Sequence, residues 1–315
     1  MTKQTYLVTG GAGFIGSHIV ERLVREGHNV RVLDNLVSGH ESNLDSFRGG
    51  LELIRGDIRD AQLVKEATKG VDVVFHEAAL GSVPRSVADP VTTHDVNITG
   101  TLNVLLAARD AGAKRVVYAS SSSVYGETPV LPKVEEMTPQ PLSPYALSKL
   151  AGEHYASVFN HVYGFEIVAL RYFNIFGPRQ DPESQYAAVI PRFITALLEG
   201  KPPVVYGDGL QSRDFTYVEN VVNANLKAAE AEGVAGRAFN VACGGRYTLL
   251  DLLTRVKEIL GSDIEPVHEA ARPGDVRDSQ ASVEAAKRAF GYSVSVDFEE
   301  GLRRTVDWYR QQVVR

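Results

Sequence analysis

Three things are scarce in this chain. It has a single cysteine, Cys243, in 315 residues, which excludes an internal disulfide and a cysteine-built zinc site. It has no basic surplus: 33 Lys and Arg stand against 39 Asp and Glu, a net charge of −6, so no basic face is left over for the phosphates of a nucleic acid. It has no apolar run of the roughly 18 residues that would span a bilayer, so no membrane partner is expected. Met1-Thr2-Lys3-Gln4 leads straight into an apolar stretch without signal-peptide features, and the expected location is cytoplasmic. His76, His94, His154 and His161 are scattered without ligand spacing, so no metal site is expected. What remains, 44% hydrophobic and 23% charged, is the composition of an ordinary globular protein, long enough for one large domain or two joined ones.

The most telling feature present is a strand, a glycine turn and a helix in succession. Tyr6-Leu7-Val8-Thr9 runs into Gly10-Gly11-Ala12-Gly13-Phe14-Ile15-Gly16, and the amphipathic stretch Ser17–Leu23 follows. Glycines let the backbone turn tightly and approach a pyrophosphate, while the helix aims its free N–H groups and positive dipole end at the anion. A second strand, Asn29-Val30-Arg31-Val32-Leu33, ends in Asp34, an acid placed to accept from both hydroxyls of an adenosine ribose. The same acid repels a 2′-phosphate, which favours NAD over NADP.

Strands are expected at 4–9, 29–33, 51–55, 71–77, 115–120 and 166–171, and helices at 14–26, 60–68, 90–111 and 144–163. That alternation reads as an α/β fold, a Rossmann-type doubly wound parallel sheet covered on both faces. After Gly177-Pro178 the pattern loosens into turns, a helix near 189–199 and another at 218–231; Ala238-Phe239-Asn240-Val241 reads as one more strand of the main sheet. The segment 248–315 reads as mostly helical. The expected division is an NAD-binding domain of residues 1–177 plus about 217–246, and a smaller, discontinuous C-terminal substrate domain of about 178–216 plus 247–315. A ligand cleft lies between them.

Tyr145-Ala146-Leu147-Ser148-Lys149 opens a helix, so Tyr145 and Lys149 share a face. A lysine ammonium beside a phenol favours the phenolate and is expected to lower the tyrosine pKa, making Tyr145 a general base. The serine-rich end of the preceding strand, Ser120-Ser121-Ser122-Ser123, points hydroxyls into the same cleft.

These motifs resemble the extended short-chain dehydrogenase/reductase superfamily, and within it the NAD-dependent nucleotide-sugar 4-epimerases. The likeness runs over nearly the whole chain: Gly10–Gly16, Asp34-Asn35, Gly56-Asp57-Ile58, His76-Glu77-Ala78-Ala79, Asn97, Ser120–Gly126, Tyr145–Lys149, Tyr172-Phe173-Asn174, Gly207-Asp208-Gly209, Arg213-Asp214-Phe215 and Arg272-Pro273-Gly274-Asp275. The resemblance implies that Gly10, Gly13, Phe14 and Ile15 cradle the NAD pyrophosphate, and that Asp34 and Asn35, with Ser38 and Gly39, hold the adenosine ribose. By the same likeness Asp57 and Ile58 border the adenine. Ala78, Ala79 and Tyr172 flank the nicotinamide half, Lys149 reaches the nicotinamide ribose, and Asn97 and Tyr145 also count among the cofactor-binding residues. Where some relatives carry a lysine near the cofactor phosphates, this chain has Leu80-Gly81-Ser82-Val83-Pro84-Arg85, which leaves Arg85 as the candidate cation.

On the substrate side the resemblance gives Asn174, Arg213 and Arg272 to the diphosphate, Asp275 to the uridine ribose, and Val189 with Ile190 to the base pocket. It makes Tyr145 the base at the sugar 4-hydroxyl, Ser121 the partner hydroxyl, Ser122 and Ser123 its neighbours, and the reaction an inversion through a 4-keto sugar. It also implies a homodimer joined through helices about 90–111 and 144–163.

Related chemistries are weighed against this reading. A 4,6-dehydratase carries an acid where this chain has Ser121-Ser122-Ser123, and no acid is present. A UDP-glucuronate enzyme needs a cation for the sugar carboxylate, and none is assigned. A non-catalytic NAD-binding sensor typically lacks the tyrosine–lysine pair and the arginines, which this chain retains. Among 4-epimerases, alignment through Arg272–Asp275 puts Ser279 where a bulky tyrosine closes the sugar pocket of glucose-restricted relatives. Gly81, Ser82, Gln180 and Ala188 likewise resemble the branch acting on N-acetylated sugars. The expectation is UDP-N-acetylglucosamine/UDP-N-acetylgalactosamine interconversion, with UDP-glucose/UDP-galactose activity as an accompaniment. An enzyme restricted to plain sugars and a UDP-glucuronate 4-epimerase are the alternatives.

Overall fold

The structure is a computed structural model that describes residues 3–182, 188–270 and 277–313. Its main sheet holds seven strands: β1 (Thr5–Thr9), β2 (Asn29–Asp34), β3 (Leu51–Arg55), β4 (Val73–His76), β5 (Arg115–Ser121), β6 (Glu166–Tyr172) and β7 (Ala238–Val241). All pair in parallel, in the order β7-β6-β5-β4-β1-β2-β3. The order reverses beside β1, so a crevice opens where the C-terminal ends of β1 and β4 diverge, the place where open α/β sheets bind ligands.

Alternate side chains of each strand feed two cores, as a strand's period of two requires. Tyr6 and Val8 pack with Ile19, Val20 and Leu23 of α1 (Phe14–Arg25) and Val221 and Ala224 of α8 (Val218–Glu230). Leu7 goes the other way, to Val64 of α2 (Ala61–Thr68), Val104 and Leu105 of α5 (Thr101–Asp110), and Ala156 and Phe159 of α6 (Pro144–Tyr163). Each such fully buried aliphatic side chain is worth about 1.5–3 kcal/mol. A third core joins Phe176 and Phe215 to α7 (Val189–Leu198), α9 (Leu249–Leu260) and α10 (Phe298–Val313). Tyr247, Phe215 and Phe298 stack face on at its centre.

The expected helix over 90–111 is interrupted. Pro90–His94, labelled α4, gives way to a π turn over Asp95–Gly100 before α5 begins. Two contacts account for the extra residue: Asn97 is pulled to Leu80, and a Cβ on Gly100 would lie 2.7 Å from Ile58, so the helix must slide past that side chain. Periodicity also passed over α3 (Val83–Ala88) and the strand Val267–Glu269, which pairs with Val204–Tyr206.

Candidate active site

The glycine turn is built by close approach. Gly10 has φ +69°, and a Cβ there would sit 2.7 Å from the Ala78 nitrogen; a Cβ on Gly16 would sit 2.2 Å from the Gly10 oxygen. Gly13 caps α1 with no side-chain bond, which leaves the helix's first N–H groups facing outward. The Asp34 carboxylate, buried at the end of β2, accepts from the Ala12 N–H at 2.9 Å and the Leu36 N–H at 2.8 Å. Leu36 is held at φ +60°, and a Cβ on Gly39 would lie 3.0 Å from an Asp34 carboxylate oxygen. Asn35 donates to Asp57 at 2.9 Å, and the Arg59 guanidinium clasps that carboxylate and holds it well below the usual range. Ser38 is exposed beside them, while Ile58 is buried against Gly100. A backbone cradle that a side chain would fill, open helix N–H groups and a fixed acid fit the pyrophosphate and adenosine ribose of a dinucleotide.

At the other end of the crevice stands α6. Ser143 caps it, accepting from Ala146 at 3.1 Å, Pro144 occupies its first turn, and a Cβ on Gly152 would lie 2.2 Å from the Tyr118 ring, so the helix lies tight on β5. Lys149 is buried and donates to the Ala119 carbonyl at 2.7 Å, with its ammonium 6.0 Å from the Tyr145 ring centre. The Ser121 hydroxyl meets the Tyr145 phenol and lowers its pKa. It is also bonded by Ser123 Oγ at 2.9 Å, so the structure brings Ser121, rather than Ser122, to Tyr145. The expected fall in the Tyr145 pKa is corrected: burial outweighs Ser121 and raises it, and Glu77 raises it further. Desolvation penalises a phenolate more than the neighbouring serine repays.

Several of the predicted residues are engaged within the protein. Asn97 is only 1% exposed; it accepts from Leu80 N at 2.8 Å and donates to Ser148 Oγ at 3.1 Å, bracing the segment after Ala78 and Ala79 against α6. The Tyr172 hydroxyl points into the core, donating to Glu77 at 2.8 Å and accepting from Asn225 at 2.7 Å. The Ser82 hydroxyl caps α3, accepting from Arg85 N at 3.1 Å, and a Cβ on the exposed Gly81 would meet nothing within 4 Å. The Gln180 side-chain amide donates to the Ile175 carbonyl at 3.2 Å, and the Gln180 backbone carbonyl accepts from the Tyr309 hydroxyl.

Beyond β6 a cavity of about 240 Å³ is lined by Asn174, Ala188, Val189, Ile190, Arg213 and Phe215, together with Arg192, Tyr206 and Gln211. Asn174 adopts φ +40°, a left-handed conformation that asparagine tolerates, and reaches the Asp214 carbonyl at 3.1 Å and Ser279 Oγ at 3.4 Å. Arg213 Nη1 donates to the carbonyls of Ser212 and Arg277 at 2.9 and 3.0 Å. Arg272 and Asp275 lie outside the described residues. Arg192, Tyr206 and Gln211 went unnamed in the sequence reading; the signal for Tyr206 was its place directly before Gly207-Asp208-Gly209. Arg192 lies over the Tyr206 ring at 5.3 Å, and Gln211 donates to the Tyr206 carbonyl at 2.7 Å.

A cradle for a dinucleotide at one end and a tyrosine, serine and lysine at the other define an NAD-using enzyme of the short-chain dehydrogenase/reductase type. Residues 6–242 match the NAD dependent epimerase/dehydratase family, to which the chain belongs; NAD is its cofactor. It is 39% identical over 310 residues to a UDP-glucose 4-epimerase of Mycolicibacterium smegmatis, covering 97% of this chain and 98% of the relative. Among solved structures, a UDP-N-acetylglucosamine 4-epimerase of Methanobrevibacter ruminantium in complex with UDP-N-acetylmuramic acid superposes with TM-score 0.95 at 44% identity, covering 99% and 100% of the two chains. A Thermus thermophilus UDP-glucose 4-epimerase in complex with NAD superposes with TM-score 0.89 at 40% identity, covering 97% and 99%.

Proposed function

We propose that this enzyme is an NAD-dependent 4-epimerase of UDP-hexoses that favours UDP-N-acetylglucosamine and UDP-N-acetylgalactosamine and also accepts UDP-glucose and UDP-galactose. The carrying observation is the meeting of Tyr145 and Ser121 at the end of β5, one helical turn from Lys149. The relatives above, all 4-epimerases of UDP-sugars by name, support the reaction class.

Gly10, Gly13, Phe14 and Ile15 would hold the NAD pyrophosphate, Asp34 and Asn35 its adenosine ribose, and Lys149 its nicotinamide ribose. When bound, NAD supplies the oxidant that accepts and returns the sugar's C4 hydride. The protein's own part is proton handling and grip. Tyr145 takes the proton of the 4-hydroxyl and later gives it back. Ser121 donates to the same oxygen and holds it in line with the phenol. The keto sugar must turn over between the two steps, which asks for a firm hold on the nucleotide and a loose one on the sugar. Arg213 and Asn174 grip the diphosphate, since a planar guanidinium fork matches phosphate oxygens, while Val189 and Ile190 pack on the base. Around the sugar stand the small residues Ser123, Gly81 and Ser279.

The N-acetyl preference rests on Ser279. It is half-buried and accepts from Asn174, which lines the cavity, so the bulk at this position bears on the space beside that residue. Ser279→Tyr is expected to abolish turnover of the two acetylated sugars and spare the two plain ones, measured by chromatography of all four UDP-hexoses at equilibrium. Equal loss of both pairs would reject the pocket argument.

The protein is further proposed to be a homodimer through the α4–α5 region and α6. A groove of about 510 Å³ there is lined by Pro90, His94, Ile98, Pro141, Leu142 and Leu147, and Val91, Leu142 and Leu147 are exposed. Light scattering on the wild type and on Leu147→Glu decides it, a dimer for the first and a monomer for the second being expected.

A further inference from the structure

Ser120, expected to face the cleft with its neighbours, turns inward instead. It is buried, and its hydroxyl donates to Glu153 Oε1 on α6. Arg171 of β6 grips the same carboxylate with both arms, Nε on one oxygen at 2.9 Å and Nη2 on the other at 2.7 Å. Arg171 stands opposite Ser120 in the parallel register of β5 and β6. Its Nη1 donates to the Tyr125 hydroxyl at 2.7 Å, its guanidinium lies 4.7 Å from that ring's centre, and Tyr125 donates in turn to Asn240 Oδ1 on β7 at 2.7 Å. Glu153 and Arg171 are both buried, and neither has a part in the mechanism above. Yet the pair sits on the catalytic helix. Tyr145, Lys149 and Glu153 are spaced four apart on α6, so they run along one side of it. Each meets one of three consecutive residues of β5: Lys149 the Ala119 carbonyl, Glu153 the Ser120 hydroxyl and Tyr145 the Ser121 hydroxyl.

We propose, resting on the reading of Tyr145 as the base, that Glu153 is a positioning residue: clamped by Arg171 and bonded by Ser120, it fixes how far α6 stands along β5 and so where the Tyr145 phenol meets Ser121 and the sugar oxygen. Close packing sets the separation of helix and strand, since a Cβ on Gly152 would lie 2.2 Å from the Tyr118 ring. Directional bonds are what oppose a slide along the strand. Slipping α6 by one residue moves the phenol by about 1.5 Å, and a misplacement of about 1 Å can cost on the order of 10²-fold in rate. Lys149 is a poor locator, because its flexible four-carbon stem can follow a shift. Two parallel bonds between a planar guanidinium and a carboxylate cannot. Stability alone does not account for the clamp. A buried ion pair is often no better for stability than apolar residues of similar volume, whereas its directional bonds select one arrangement over its neighbours. Every other member of the clamp is fixed to the sheet, Ser120 and Arg171 by their own strands and Tyr125 through Asn240, so the helix is the part that the clamp locates.

The double variant Glu153→Met/Arg171→Met removes both charges together, so neither is left unpaired in the interior. Steady-state epimerisation is measured beside the denaturant midpoint, NAD retention and KM for the UDP-sugar. With the enzyme folded and NAD in place, kcat is expected to fall about 10²-fold, while KM changes by less than about twofold. In a Tyr145→Phe background the same two changes should cost less than about threefold more, because a residue that acts through the phenol has nothing left to position. Ser120→Ala, which leaves the ion pair whole, should lower kcat by about tenfold and leave midpoint, NAD retention and KM at their wild-type values. A double variant that folds and keeps wild-type kcat, or that loses the same factor with and without the Tyr145 hydroxyl, overturns the proposal. If the double variant does not fold, Ser120→Ala decides, and an unchanged kcat there overturns it. Full epimerisation by Tyr145→Phe alone would fell the base assignment and the proposal with it, whereas an impaired Tyr145→Phe beside a fully active double variant would fell the proposal only.

Discussion

The two ends of the site are built by opposite means. The pyrophosphate cradle of the cofactor end is made within one short unit of chain, Thr9 to Gly16, from backbone and missing side chains; what matters at Gly10 and Gly16 is that no Cβ is there. The sugar-nucleotide end is made of side chains drawn from distant segments: Asn174 after β6, Val189 and Ile190 on α7, Arg213 in the short strand Ser212–Arg213, and Ser279 in the strap that follows residue 276. Between them stand Tyr145, half-buried, and Lys149, buried, with desolvation the largest influence on the protonation of each. A site made of backbone tolerates little substitution. A site assembled from side chains is open to change one contact at a time, as varied sugar preferences within one fold require.

The sharpest break in that comparison is expected at its hinge. Tyr145→Phe should lower kcat by about 10²–10⁴-fold with little change in NAD retention, measured by steady-state epimerisation and by absorbance of the released cofactor. Retained turnover would remove the general base. Next, Gly10→Ala should damage the backbone-built end as a whole. Its φ of +69° and a 2.7 Å approach to Ala78 predict a loss of about 1–3 kcal/mol together with weakened NAD binding, read by denaturant midpoint and calorimetric titration. Arg213→Ala should do less and do it locally, with KM for the UDP-sugar rising about tenfold, as expected for one charge-assisted bond, and stability nearly unchanged. If instead Gly10→Ala were benign and Arg213→Ala unfolded the protein, the contrast drawn here would be reversed.

The smallest effect expected concerns pH and lies outside both ends. His76 is buried and His18 half-buried, and desolvation lowers His18 from 6.5 to about 4 and His76 to about 3. The unfolded chain therefore binds more protons between those values, so stability is intact above about 6.5 and falls as the pH drops below it. Urea midpoints at a series of pH values measure the slope, and His18→Gln should flatten part of it.

How far the sequence could be read follows the same division. The strand–turn–helix unit, the acid at Asp34 and the Tyr145–Lys149 spacing are local, and the parallel sheet, with Ala238–Val241 rejoining it, follows from alternation and apolar runs. The π turn at Asp95–Gly100 was hidden because it answers to Ile58 and Leu80, far away in sequence. The direction of the Tyr145 pKa was misjudged for a related reason. Spacing on a helix reports that a lysine is near, but not how much water has been removed from both groups. Ser121 and Ser122 are equivalent as letters, and only the chain's course at the end of β5 presents one of them to the phenol.

The order of residues alone determined the fold class and the backbone-built cradle, because helix and strand periods and the need for glycine are written within a few positions of one another. Tertiary structure alone decided which serine meets Tyr145, that Asn97 and the Tyr172 hydroxyl brace the site from within, and which charges share the interior with Lys149. Burial and hydrogen-bond partnership are properties of what folding brings together, and the groups concerned come from the ends of β4, β5 and β6, the π turn, α6 and α8, which are neighbours in space and remote along the chain.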